Sequence, residues 1–254
     1  MLAEAGCDTD KSVLGRALAV LDCFHGDASL TLAELTRRSG LPKSTVHRYL
    51  NALVRWGALE RCYGEFRLGL KLFELGSFVQ RYKLIREAAQ PFLNELLQRT
   101  TQTVHLGVLD GAQVVYLDKL QPPGAPDVAS RCGGRMPAHC TGLGKALLGG
   151  NDTALGSVLT TELDPLTPYT ITQPAILQDD IVKGINRGFA TDIEEASLGL
   201  HCLAAAARDP RGKPVAAVSV TLPRSLGDPK AFRRLVCLAA DQLAIELRKD
   251  SYLL

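Results

Sequence analysis

The chain has 254 residues, 46% hydrophobic and 22% charged, with a formal net charge of +2. These values fit a globular protein of one large or two modest domains, and they exclude a mainly disordered chain, a collagen and a small disulfide-stapled scaffold. No apolar run reaches the roughly 18–20 residues that span a bilayer. Met1–Asp10 has neither the basic nor the apolar stretch of a secretory leader, so a cytoplasmic protein is expected. The seven cysteines, Cys7, Cys23, Cys62, Cys132, Cys140, Cys202 and Cys237, are odd in number, widely spaced and free of any C-x-x-C pair. A disulfide framework or zinc ribbon is therefore not expected.

In chain order, Val13, Ala17, Val20, Leu21 and Phe24 recur at helical spacing behind Ser12, a suitable N-cap. Thr31-Leu-Ala-Glu34 has the spacing of a capping box, and the helix it opens ends near Ser39-Gly40. After the Gly40-Leu41-Pro42 turn, residues 43–56 form a third helix with Val46, Leu50, Leu53 and Val54 on its apolar stripe, stopped by Gly57. Two short helices around a tight glycine turn are the pattern of a helix-turn-helix. The opposite face of the third helix shows Lys43, Ser44, Thr45, His47, Arg48, Asn51 and Arg55. Thr45, His47, Arg48 and Asn51 are candidates for reading base edges, and Arg37, Lys43, Ser44 and Arg67 for phosphates. Between residues 31 and 61 six basic residues face two acidic ones, a balance of +4 in a chain of +2, so basic charge gathers on one candidate reading head. Residues 58–62 and 65–68 read as a hairpin around Tyr63-Gly64, placed as a wing. From periodicity alone, a protein-interaction module or a purely structural three-helix unit stays open beside DNA binding.

Residues 70–82 repeat Leu72, Leu75, Phe78 and Val79, which suits either a linker helix with an apolar seam for a partner or a core helix of one domain. Pro91 predicts a break or kink near Gln90 in the helix over 85–99. From Thr103 the period becomes two, and Asp110-Gly111 between two β-rich runs signals a hairpin. A short helix follows from Thr141 or Gly142 to Leu148, then a helix over 176–187, apolar strands over 202–207 and 214–221, and a C-terminal helix over 228–247. The second half is thus an α+β domain.

That half carries no recognisable catalytic constellation. Gly142-Leu-Gly-Lys145 lacks the Ser/Thr and the first Gly of a phosphate-binding loop, and Ser197 lacks the flanking glycine of a nucleophile elbow. Glu194 and Glu195, adjacent in an extended segment, are expected on opposite faces. His139, Cys140, Cys132, His201 and Cys202 match no common zinc spacing. No metal, no cofactor and no enzyme activity are expected. A binding site reads better: the helix start near Gly142 offers backbone N–H groups to an anion, and Ser219 and Thr221 share a strand face. The alternative for those two hydroxyls is plain strand packing, and His139 is expected to be a structural neighbour of the loop.

The ordered series Ser12-Val-Leu-Gly-Arg-Ala-Leu, Gly40-Leu-Pro-Lys-Ser-Thr-Val-His-Arg-Tyr-Leu, Phe66-Arg-Leu-Gly69, Val115-Tyr-Leu-Asp-Lys119, Pro137-Ala-His-Cys-Thr-Gly-Leu-Gly-Lys145, Asp192-Ile-Glu-Glu195 and Gly199-Leu-His-Cys-Leu-Ala204 resembles the IclR family of bacterial transcriptional regulators from about Lys11 onward. The resemblance implies a winged helix-turn-helix DNA-binding domain over 11–69, a linker helix over 70–84 and a GAF-like, mixed α/β effector-binding domain over 85–254. It implies a repressor or activator that binds operator double-stranded DNA and a small effector, a carboxylate, as a homodimer or a tetramer made of two dimers. Matched by motif, Gly142, Leu143, Asp192, Cys202, Ser219 and Thr221 fall at effector-contacting positions. Leu143 and Thr221 stand where the family often has a smaller residue and a serine.

Overall fold

The computed structural model describes residues 12–249. The reading of Met1–Asp10, Cys7 and the outer ends of the two expected domains, Lys11 and Leu254, lie outside those residues. Contacts divide the chain into two units, Met1–Gln80 and Arg81–Leu254.

In the first unit the elements are α1 (Val13–Asp22), β1 (Leu30–Thr31), α2 (Leu32–Ser39), α3 (Lys43–Trp56), β2 (Leu59–Cys62), β3 (Glu65–Leu68) and α4 (Leu70–Ser77). Ser12 caps α1 by accepting from Gly15 N at 3.0 Å. The capping box of α2 is complete: Glu34 N donates to Thr31 Oγ1 at 3.2 Å and Thr31 N to Glu34 Oε2 at 2.8 Å. Gly40 and Gly57 end α2 and α3 at φ 65° and 86°, a backbone region that favours glycine. Tyr63 and Gly64 both have positive φ, which is what a two-residue hairpin between right-twisted strands requires. β1, missed in the sequence, pairs with β3 through Leu30 and Phe66. Val20, Leu35, Val46, Leu50, Leu59 and Phe66 close the core beneath this sheet.

The residues expected to form one linker helix do not do so. α4 stops at Ser77, and a new helix starts at Gln80. That helix, α5 (Gln80–Thr100), runs on through Pro91, contrary to the expected break. Pro91 is exposed, so the carbonyl that its missing N–H leaves free is accessible to water, while Ile85, Ala89, Leu93 and Leu96 on the other side stay buried.

The second unit continues with β4 (Thr103–Asp110), β5 (Gln113–Leu120), β6 (Arg135–Pro137), α6 (Gly142–Leu148), α7 (Asp152–Leu159), α8 (Pro174–Arg187), β7 (Ala190–Ile193), β8 (Leu200–Arg208), β9 (Pro214–Pro223) and α9 (Arg233–Leu247). The six strands form one sheet in the order β6-β5-β4-β9-β8-β7. Blocks of strands and helices follow one another, as expected of an α+β domain, and every pairing in the sheet is antiparallel. The sheet is buried on both faces. α5 and α9 cover one through Leu93, Leu96, Val236 and Leu243 against Val104, Val218 and Val220. α6, α7 and α8 cover the other through Leu143, Leu147, Val158 and Ile181 against Val114, Ala204 and Ala217.

Candidate functional site

The first candidate surface is the outer face of α3. Burying Val46, Tyr49 and Leu50 against the core turns Lys43, Ser44, His47 and Arg48 to solvent, while Thr45 and Asn51 are half-exposed. Arg37 is exposed in the last turn of α2. Asn51 is held at both ends of its amide: Nδ2 lies 3.3 Å from His47 Nδ1, and Arg61 Nη2 on the wing donates to Oδ1 at 3.2 Å. Arg48, Asn51, Val54, Arg55 and Arg61 line one open depression between helix and wing. Arg67 stands apart from this group, because its guanidinium is paired with Glu60 at 2.7 Å and holds that carboxyl below the ordinary range. The wing tip carries Tyr63, wholly exposed, which the sequence reading used only as a turn residue.

The second candidate is a cavity of about 430 Å³, counting its mouth, on the α6 side of the large sheet. Strand register builds its floor. Asp192 on β7 lies opposite Cys202 on β8, and Cys202 opposite Thr221 on β9. One step along the same face, Ser219 lies opposite His105 on β4. The start of α6 rests on this floor: a Cβ on Gly142 would come to 3.0 Å from Cys202 Sγ, so a larger residue there would need the thiol or the helix to give by a few tenths of an ångström. Gly142, Leu143, Asp192, Cys202, Ser219 and Thr221 thus all line one cavity. The sequence reading did not single out His105, Tyr116, Ser130 or Thr141, which complete the wall.

The lining is largely apolar, and its polar groups are hydroxyls, a thiol, an imidazole and one carboxyl. His105 is buried between Ser130 Oγ at 2.7 Å and Ser219 Oγ at 3.4 Å. Burial first, and Lys119 second, push it down to about 3, so it is neutral at physiological pH. Burial, reinforced by Glu195, raises Asp192 to about 7. Burial likewise raises the Cys202 and Cys140 thiols to about 12, so neither is an ionised nucleophile. Asp192 Oδ1 accepts from Glu195 N at 2.8 Å and Ala196 N at 3.3 Å. Thr141 caps α6 by accepting from Gly144 N at 3.1 Å.

Glu194 and Glu195 do not lie in an extended segment as expected. Glu194 has φ 60° and both are buried in the turn after β7. Each has its own cation: Arg224 reaches Glu194 at 2.9 Å, and Lys145 reaches Glu195 at 2.6 Å and Asp180 at 2.8 Å. Lys145 is therefore a buried structural ammonium, and no part of a phosphate loop. His139 sits by the loop as a neighbour, its Nε2 3.0 Å from Asp164 O. Among the described residues there is no group of three or more His, Cys, Asp or Glu side chains suited to a metal, and no helix is long and apolar enough to cross a membrane.

Comparison with known proteins bears on both candidates. Residues 13–61 match the family described as the IclR helix-turn-helix domain, and residues 78–242 the family described as Bacterial transcriptional regulator IclR C-terminal. The chain is 35% identical over 211 residues to the HTH-type transcriptional regulator XynR of Escherichia coli, covering 81% of this chain and 84% of that one. It is also 35% identical over 247 residues to the HTH-type transcriptional regulator BhcR of Paracoccus denitrificans, covering 94% and 88%. A crystal structure of an IclR homolog from Microbacterium hydrocarbonoxydans complexed with 4-hydroxybenzoate is similar at a TM-score of 0.86 and 28% identity, over 94% of this chain and all of that one.

Proposed function

The chain belongs to the IclR family of bacterial transcriptional regulators, and from that premise we propose that it grips an operator duplex with α3 and its wing and senses a small organic acid in the cavity beneath α6. The observation that carries the first half is the exposed α3 face, where Lys43, Ser44, His47 and Arg48 project from a helix whose other side is locked in the core. Thr45, His47, Arg48 and Asn51 read base edges, and Arg37, Lys43 and Ser44 hold phosphates. Arg67 takes a phosphate only by leaving Glu60, which costs it part of that gain.

The cavity supports the second half. It is a concave hollow with an open mouth, its largely apolar walls carrying a few converging hydroxyls and one carboxyl, the usual form of a small-molecule site. The relative crystallised with 4-hydroxybenzoate holds a small aromatic acid, which suits the same class of ligand here. Binding shifts DNA affinity only as far as the ligand prefers one arrangement of the regulator over another, and about 1–3 kcal/mol of such coupling is a change of roughly 5–150-fold. Relatives named as repressors, such as the transcriptional repressor IclR of Escherichia coli, favour repression as the output.

The regulator works as a homodimer or a dimer of dimers. α1 exposes Val13, Leu14 and Leu18, and α4 exposes Leu70, Phe73 and Leu75, apolar surface that a second copy covers. Two reading heads then meet half-sites about 34 Å apart if one helical turn separates them. The test is a mobility shift on the DNA upstream of the gene. Arg48→Ala with Asn51→Ala should abolish specific retardation while the fold is kept, and undiminished specific binding by that variant would refute the assignment. In parallel, a thermal-shift screen of small carboxylic acids should yield a stabilising ligand whose effect Ser219→Ala weakens.

A further inference from the structure

Asp192 poses a problem for the ligand class just proposed, and its resolution rests on that reading. Among the described residues, Asp192 is the only one lining the cavity that can carry a formal negative charge near neutral pH, and no lysine or arginine lines it. The cations nearby are already engaged. Lys145 is held between Glu195 and Asp180, and Lys119 Nζ donates to Val128 O at 3.2 Å and Ser130 O at 2.9 Å. His105 is neutral in its buried slot. Of the two Asp192 oxygens, Oδ1 takes backbone N–H groups, whereas Oδ2 has no hydrogen-bond partner among the described residues. A carboxylate entering a cavity this small meets a buried carboxyl without a counter-ion. A ligand carboxylate brought beside the buried, unpaired Asp192 disfavours both staying ionised.

We infer that Asp192 engages a ligand carboxylate as the neutral acid, donating through Oδ2, so that wherever the empty site is ionised, binding a monocarboxylate draws one proton from solvent. The surroundings of Asp192 favour that acid form. Glu195 follows it in the turn, and Lys145 of α6, the nearest cation, is spent on Glu195. Cys140 before α6, Cys202 of β8 and Tyr116 of β5 face it with groups that burial keeps protonated. His105 of β4 is neutral, and β9 contributes only the hydroxyls of Ser219 and Thr221. On α8, Asp180 and Arg187 act on the site only through Lys145 and each other. With the proton in place, the Asp192 hydroxyl and those of Ser219 and Thr221 offer donors on one floor, which discriminates for a carboxylate over a neutral amide or alcohol of the same shape.

The experiment is isothermal titration calorimetry of the full chain with 4-hydroxybenzoate, benzoate and acetate between pH 5.5 and 8.5, in buffers of different ionisation enthalpy. The expected result is an affinity that is flat on the acid side and falls about tenfold per pH unit above about 7, with about one proton taken up per ligand there. Asp192→Asn should flatten that profile, since an amide donates at every pH. The wild-type proton count stands by itself should the variant fold poorly. Binding with no pH dependence and no proton uptake overturns the inference and leaves the cavity reading intact. Affinity that rises with pH overturns it in favour of an ionised Asp192 accepting from the ligand. Absence of binding by all three acids at every pH overturns the carboxylate reading and this inference with it.

Discussion

Replacing Lys145 by methionine tests how the ligand cavity is held together. The Lys145 side chain is 1% exposed and its ammonium bridges Glu195 at 2.6 Å and Asp180 at 2.8 Å. Burial works against its charge, but the two carboxylates together keep it above the ordinary lysine value. Lys145→Met strands Glu195, which is buried and whose Oε2 already lacks a hydrogen bond. Removing one partner of a buried pair costs about 3–5 kcal/mol, because a desolvated charge is left behind. Asp180 adds less, since it is partly exposed and keeps Arg187 at 3.7 Å. At roughly 2–4 °C per kcal/mol for a unit of this size, the second unit should melt about 6–20 °C lower. Urea unfolding of the full chain, followed by circular dichroism, measures the loss. The sign with pH is fixed: burial raises Glu195, so the penalty for its ionised form fades as pH falls and the deficit should be smaller at pH 5 than at pH 8. Lys145→Met with Glu195→Leu removes both charges and should recover most of the stability. A single-variant loss under about 1 kcal/mol at pH 8, or a double variant no better than the single, would refute the reasoning. Because Glu195 N also donates to Asp192 Oδ1, the same substitution should loosen the cavity floor.

Phe73→Asp should dissociate the regulator: about 2 kcal/mol of lost burial per copy, doubled by symmetry, weakens a dimer roughly a thousandfold in sedimentation analysis, and an unchanged mass at micromolar concentration would remove α4 from the interface. Gly144→Ala places a Cβ 2.2 Å from Ala138 O, a backbone clash that must move α6, so stability should fall by about 1–3 kcal/mol or more, and a melting point equal to wild type would contradict the packing. His105 is depressed to about 3, so the stability it contributes is complete above about pH 6.5 and is lost as pH falls toward 3, at about 1.4 kcal/mol per unit. His105→Gln should flatten that part of the acid unfolding profile, and an unaltered profile would show that His105 does not carry it.

What the sequence revealed depended on the range of the interactions involved. The capping box at Thr31 and Glu34, the αL stops at Gly40 and Gly57 and the Asp110-Gly111 hairpin are local, and each was legible. Three short strands and one helix were not. β1, β6 and β7 span two to four residues and gain their identity only from a partner strand, and in α7 Gly156 obscures the helical pattern behind its Asn151 cap. Pro91 misled because a proline on the wet side of a long, well-packed helix is tolerated. In the cavity, the parity of Ser219 and Thr221 and the helix start at Gly142 could be read from the residues, and Leu143, Asp192 and Cys202 came from the family resemblance. His105, Ser130 and Tyr116 could not be read, because they join the wall through cross-strand register and a loop that folds back onto Lys119. The Lys145–Glu195 pair spans fifty residues, and no spacing rule pointed to it.

The most direct test of the account is the salt dependence of binding to the upstream duplex. If α3, α2 and the wing grip phosphates, log affinity should fall linearly with log salt with a slope of about −0.9 per phosphate neutralised. Replacing Lys43 by alanine should make that slope shallower by about 1, whereas Arg48→Ala with Asn51→Ala should lower the preference for the specific site over random DNA. A slope near zero, or the same slope and the same preference in all three proteins, would contradict the claim that this surface reads DNA.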